Sequence, residues 1–189
     1  MKNICLFGVS NVGKSTIGEL PAKRAGYDFY DLDEEVRKDV QMSQTEFKDS
    51  FTLEERDEKR IEVLDSLFRK AGNKVNAVTP ITYWMDALTV FAQAGVHGIE
   101  LTDSPEHIFD RLIFTDENDA AYTDDEYKNR YKDHCLKMIR EDLEYYGNGV
   151  FCLAEGLYDM NGEAPEEVVN GILREFGDLF AESQRIVQN

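Results

Sequence analysis

Lys2-Asn3-Ile4-Cys5-Leu6-Phe7-Gly8-Val9-Ser10-Asn11-Val12-Gly13-Lys14-Ser15-Thr16 joins an apolar run to a glycine-rich turn and the start of a helix. Its opening is a short apolar run that stops at Gly8, the pattern of a strand buried on both faces of a parallel sheet. Gly8 to Ser15 then match G-x-x-x-x-G-K-[ST] in full, and Ile17, Leu20 and Arg24 follow at helical spacing. Glycines in such a strand-to-helix turn let the backbone wrap closely around a phosphate, with the amides of Asn11 to Ser15 pointing inward at the helix amino terminus. Lys14 adds a mobile cation, and the Ser15 hydroxyl can ligate Mg2+. A chance glycine-rich turn is the plainer alternative, and it leaves the lysine and the hydroxyl without a purpose. Pro21 predicts a kink or an early end to the helix, and Gly26 a stop.

Working outward, 189 residues suit a single domain spanning 1–189, and 42% hydrophobic residues are enough for a core despite 31% charged ones. The net charge of −17 opposes broad contact with nucleic-acid phosphate or an anionic membrane, so an anionic ligand must be held locally. No apolar stretch approaches the ~18 residues of a spanning helix. The expectation is a soluble cytoplasmic protein, monomeric or weakly dimeric. Cys5, Cys135 and Cys152 are odd in number, widely spaced and without a metal-ligand pattern toward His97, His107 or His134, which predicts reduced, buried thiols.

Further along, Tyr27–Asp31 reads as a second strand and Leu32–Val40 as a helix. Three S/T-x-x-E capping boxes, Ser43 with Glu46, Thr52 with Glu55 and Thr123 with Glu126, mark helix starts. The second opens a helix from Leu53 to Lys70 with Ile61, Leu64, Leu67 and Phe68 as its apolar stripe. Strands are expected at Lys74–Val78, Val96–Leu101 and Val150–Ala154, and helices at Asp86–Ala94, from Ser104-Pro105 to about Phe114, and at Pro165–Phe180. Thr115 to Glu126 carry six acids and no base, which predicts a solvated, mobile loop. Tyr83, Trp84 and Met85, and His97 in its strand, read as core. Strands separated by helices imply an α/β parallel sheet covered on both faces, with the site at the carboxyl ends of the strands.

Asp31-Leu32-Asp33 ends the second strand, and alternation puts both carboxylates on one side of the chain. Opposite a phosphate loop, one can hold Mg2+ through water while the other accepts the proton of a hydroxyl that receives a phosphoryl group. The rival reading is that Asp33-Glu34-Glu35 only cap a helix.

With the loop, Tyr30-Asp31-Leu32-Asp33-Glu34-Glu35-Val36, Met42-Ser43-Gln44-Thr45-Glu46-Phe47, Thr102-Asp103-Ser104-Pro105-Glu106 and Gly162-Glu163-Ala164-Pro165-Glu166-Glu167 taken together, the chain resembles the shikimate kinase family of P-loop proteins. The resemblance implies a five-stranded parallel sheet in the order 2-3-1-4-5, a mobile lid at about 112–126, and transfer of the γ-phosphoryl group of ATP to the 3-hydroxyl of shikimate. It implies nucleotide binding by Gly8, Asn11, Val12, Gly13, Lys14, Ser15 and Thr16, Mg2+ at Ser15 and Asp31, and catalysis by Lys14 and by Asp33, which also grips the acceptor. For the acceptor carboxylate it implies an arginine, with Arg56 and Arg60 both candidates, and a further substrate arginine ahead of the last strand, matched best by Arg140.

The chain departs from that pattern twice. Val78-Thr79-Pro80-Ile81-Thr82 stands where the family has three glycines, so proline removes a donor and Ile81 adds bulk to that wall. The acidic loop stands where the family has lid arginines, leaving Arg111, Lys128, Arg130 and Lys132 as substitutes for a cation at the transferred phosphoryl group. The departures keep two other readings open: a kinase for another sugar acid, polyol or nucleotide, and a nucleotide-binding protein without phosphotransfer.

Overall fold

The computed structural model describes residues 1–115, 121–122, 125–147 and 149–181. In chain order the elements are β1 (Asn3–Phe7), α1 (Lys14–Ala25), β2 (Asp28–Asp31), α2 (Leu32–Val40), α3 (Gln44–Ser50), α4 (Leu53–Arg69), β3 (Lys74–Ala77) and α5 (Trp84–Ala94). Then come β4 (Val96–Thr102), α6 (Pro105–Asp110), α7 (Glu126–Arg130), α8 (Lys132–Gly147), a 3-10 turn (Val150–Leu153), β5 (Gly156–Asp159), α9 (Pro165–Glu175) and α10 (Gly177–Phe180). The strands form one parallel sheet in the order β2-β3-β1-β4-β5, as expected. All of β1 and β3 is buried. Successive side chains of β1 serve opposite layers: Leu6 reaches Gly18 of α1, and the Phe7 ring meets Phe91 of α5 at 5.8 Å between centroids. The sheet is therefore covered on both faces. Its order reverses beside β1, so the loop leaving β1 opens at the switch point where α/β sheets bind ligands.

Both capping boxes near the second strand form in full. Glu46 N donates to Ser43 Oγ at 3.2 Å and Ser43 N to Glu46 at 2.8 Å; Thr52 and Glu55 repeat the exchange at 3.3 and 2.8 Å. The third box involves Thr123, which lies outside the described residues, as do Asp116, Glu117, Asp119 and Asp124 of the acidic segment.

Several expectations are corrected. α1 does not end at Pro21 but runs on to Ala25, because its face of Ile17, Gly18, Pro21 and Ala22 is buried and the packing outweighs one lost backbone bond. Val150–Leu153 is not the fifth strand: it is a 3-10 turn whose Phe151 ring packs on Phe7 and Tyr146, and Gly156–Asp159 takes the place beside β4. An apolar run reports burial, which strand and turn here share. α6 ends at Asp110, with Arg111 N and Leu112 N donating three residues back, and the last helix breaks at Phe176 into α9 and α10. His97 is partly exposed and paired with Glu155 at 2.7 Å, Tyr83 and Met85 are exposed, and of the three thiols only Cys5 is fully buried.

Candidate active site

The phosphate loop is shaped by backbone that few residues adopt. Gly8 has φ +144, and a Cβ there would stand 2.6 Å from the Leu101 carbonyl oxygen. Asn11 (φ 62) also has left-handed backbone, which asparagine tolerates. Gly13 (φ 115) is the N-cap of α1. Ser10, Asn11, Gly13, Lys14, Ser15 and Thr16 line a cavity of about 680 Å³, whereas Val12 turns its side chain into the core. Lys14 Nζ curls over the loop and donates to the carbonyls of Gly8 and Val9, both at 2.9 Å. Burial pushes its pKa down to about 8, against the pull of Asp33 and Asp31.

Asp31, at the end of β2, accepts from the Ser15 hydroxyl with Oδ2 and from Glu34 N, at 3.2 Å, with Oδ1. The helix cap is thus Asp31. Asp33 lies in the first turn of α2 with no hydrogen bond or ion pair among the described residues, and it lines the same cavity. Ser15 and Asp31 offer adjacent hard oxygens below the phosphate loop. No larger set of His, Cys, Asp or Glu among the described residues could hold a metal. That donor set fits Mg2+, which takes one or two protein oxygens and completes its shell with water and phosphate.

A second cavity of about 210 Å³ adjoins the first and is lined by Asp33, Phe47, Arg60 and others from α2, α3 and α4. Of the two arginine candidates on α4, Arg60 lines it and Arg56 lines neither cavity. Arg60 is 9% exposed, its Nη1 donates to Asp57 at 2.8 Å, and its Nε has no partner among the described residues. Asp57, fully buried, also accepts from Thr82 N at 2.8 Å and Tyr83 N at 3.0 Å. One carboxylate therefore ties α4 to the loop after β3. Ile81 is buried in the core rather than projecting into a cavity, so the bulk expected at that wall is absent and only Thr79 of this loop faces the site. Arg140 lies on α8, paired with Glu106 at 2.9 Å, and lines neither cavity.

Arg111 lines the larger cavity and donates to Asp103 and, at 3.3 Å, to the Val12 carbonyl of the phosphate loop. Asp103 has no exposed side-chain surface. Its burial opposes ionisation, but hydrogen bonds from Arg111, His107 and Ser104 N outweigh it and hold the carboxyl below its ordinary range. Lys128 donates to the Asp110 carbonyl at 2.8 Å, Arg130 pairs with Glu126 at 3.4 Å, and Lys132 sits over the Phe109 ring at 5.6 Å from its centroid. Sequence reasoning missed Asp57, Asp103, Arg37, Gln44 and Lys48. Arg37 follows Asp33 by four residues on a helix, a spacing that puts it on the same face; Asp103 falls in the Thr102–Glu106 turn without a role of its own being legible there, and nothing local marks Asp57.

A parallel sheet in this order, with a G-x-x-x-x-G-K-S loop at its switch point and a carboxylate-lined cavity beside it, defines a P-loop small-molecule kinase. The family model for shikimate kinase matches residues 10–176. The chain belongs to the shikimate kinase family. It is 26% identical over 179 residues to the shikimate kinase of Thermodesulfovibrio yellowstonii, covering 95% of this chain and 97% of that one. It is 55% identical over 42 residues to the enzyme of Bacillus licheniformis, a match that covers 22% of this chain and 24% of that one. Among solved structures, shikimate kinase from Bacteroides thetaiotaomicron superposes with a TM-score of 0.76 at 18% identity, covering 93% of this chain and 98% of that one. The Acinetobacter baumannii enzyme, in complex with shikimate, superposes with a TM-score of 0.73 at 16% identity, covering 94% of each chain.

Proposed function

We propose that this protein, acting as a single domain with a lid at about 112–126, transfers the γ-phosphoryl group of ATP to the 3-hydroxyl of shikimate. The observation that carries the reading is the meeting of two cavities at Asp33, one lined by the phosphate loop and the other by Arg60. In this reading Lys14 leaves the loop carbonyls for the β- and γ-phosphates, joined by the amides of the loop. Ser15 and Asp31 hold Mg2+, which supplies charge neutralisation on the phosphate oxygens. Asp33 orients the acceptor hydroxyl and takes its proton, and Arg60, already half-satisfied by Asp57, offers its remaining donors to the acceptor carboxylate. Arg111 steadies the loop from Asp103. The acidic surface favours a small-molecule partner over nucleic acid or anionic membrane, in a monomer or weak dimer working in the cytoplasm.

The test is turnover of ATP with shikimate, with the phosphorylated product identified by mass spectrometry, beside a panel of other sugar acids, polyols and nucleotides. Shikimate 3-phosphate is expected. Asp33→Asn should lower kcat by about 100-fold or more with the KM for ATP within a few-fold, since the general base acts on the acceptor hydroxyl and reaches the nucleotide only through its charge near Lys14. ATP consumption that shikimate does not accelerate would overturn the choice of acceptor.

A further inference from the structure

A phosphoryl group in flight carries negative charge on its peripheral oxygens, and the site must meet that charge with cations beyond the loop lysine. Residues 115–126 contain no lysine or arginine. The basic residues around this segment are engaged elsewhere: Lys128 with the Asp110 carbonyl, Lys132 with the Phe109 ring, Arg130 with Glu126, and Arg111 with Asp103. None of Lys128, Lys132 and Arg130 lines either cavity.

Four residues are common to both cavities: Asp33, Arg37, Gln44 and Lys48. They form two i,i+4 pairs, Asp33 with Arg37 on α2 and Gln44 with Lys48 on α3, so each pair shares a helix face. A residue that lines both cavities stands where the phosphate space opens into the acceptor space, which is where the hydroxyl meets the phosphoryl group. The side chains of Arg37 and Lys48 have no ion pair or hydrogen bond among the described residues. Their neighbours are paired, Lys38 with Glu35 at 2.6 Å and Lys59 with Glu62 at 2.6 Å. In a chain of 38 acids and 21 bases, two cations that pair with neither Asp33 nor Glu34 beside them leave this junction ready for an anion.

We propose that Arg37 and Lys48 are catalytic residues that grip the transferred phosphoryl group, the task for which the acidic segment offers no cation. The inference rests on the phosphotransferase reading above. The bond from phosphorus to the β-phosphate oxygen breaks and ADP leaves with its electron pair. A bond from phosphorus to the acceptor oxygen forms, and the hydroxyl proton passes to Asp33. Throughout, Arg37 and Lys48 face the three oxygens that stay on phosphorus, and their attraction is greatest while charge is spread over those oxygens.

The test compares Arg37→Ala, Lys48→Ala and the double variant with wild type, using ATP and shikimate; both side chains are exposed, so the variants are expected to fold. Each single change should lower kcat by about 100-fold with both KM values within about three-fold, and Arg37→Lys should recover part of the loss. Lys128→Ala and Arg130→Ala should leave kcat unchanged. Unchanged kcat in the double variant, or a raised KM for the acceptor with kcat intact, overturns the proposal; the second result would assign the pair to the acceptor's own anion. A second measurement needs no turnover: ADP, Mg2+ and aluminium fluoride, a mimic of the planar phosphoryl group, should raise the wild-type Tm beyond ADP and Mg2+ alone. The double variant should keep the ADP shift and lose the fluoride increment. An increment that survives in the double variant, or is absent from wild type, overturns the proposal. Failure of wild type to phosphorylate shikimate would instead strike the choice of acceptor.

Discussion

Lys14 shows how a single residue couples ligand binding to pH. Held against two loop carbonyls and half-buried, it has its pKa pushed down to about 8 in the free protein by lost solvation, despite Asp33 and Asp31 nearby. Phosphates bound at the loop replace part of the lost solvation with opposite charge, so the pKa rises on binding. The sign follows from linkage: above about pH 8 the free protein has lost this proton and the complex has not, so binding takes one up and ATP affinity falls as pH rises. Calorimetry at pH 8.5 in buffers of different ionisation enthalpy should show uptake of most of one proton. Buffer-independent heats in wild type would show that Lys14 stays charged throughout. The phosphate loop, Lys14, Ser15 and the pair Asp31 and Asp33 were legible from sequence because their spacing is local and their chemistry leaves few alternatives. The choice between Arg56 and Arg60 was not, since the two share a face of one helix a turn apart, and only the placement of α4 along its axis against α2 and α3 brings Arg60 to the cavity.

At the scale of elements, α4 is joined to the loop after β3 by Asp57, whose carboxylate spans Arg60, Thr82 N and Tyr83 N. Removing one partner of a buried ion pair costs about 3–5 kcal/mol because the other charge is left alone. Asp57→Ala should therefore unfold at markedly lower urea than wild type. Asp57→Asn keeps an acceptor for the two amides but not the charge. Its KM for the acceptor should rise several-fold while that for ATP stays within about two-fold. Equal KM values in the folded variant would mean that Arg60 holds its orientation without Asp57. The capping boxes at Ser43 and Thr52 mark the starts of α3 and α4 as expected, because such a box is contained in four residues. Element ends were read less well: α6 stops early as Arg111 turns to Asp103, and the chain breaks at Phe176, whose ring occupies the space left by the missing Cβ of Gly156.

For the whole molecule, a charge of −17 means that bound polyphosphate adds to a surface already repelling itself, and the loop must overcome this locally. MgATP at 100 times its Kd should nonetheless stabilise the native state by about 2.7 kcal/mol, because it binds the folded form alone. Differential scanning fluorimetry should show the matching rise in Tm, lost in Lys14→Ala; an unchanged wild-type Tm at millimolar MgATP would remove the nucleotide from the account. The sequence by itself determined the parallel α/β architecture, the strand order through its family resemblance, the phosphate loop and the pair of aspartates. The loop and the aspartates depend on residues close together along the chain, and the architecture and strand order on several such local stretches recognised together. Only the packed fold decides which strand closes the sheet, that Ile81 is buried in the core, that Arg60 reaches the smaller cavity, and that Arg37 and Lys48 line both cavities. Those facts turn on how helices from distant parts of the chain rotate and pack against one sheet. Hydrophobic periodicity records that a residue is buried and leaves open what it is buried against.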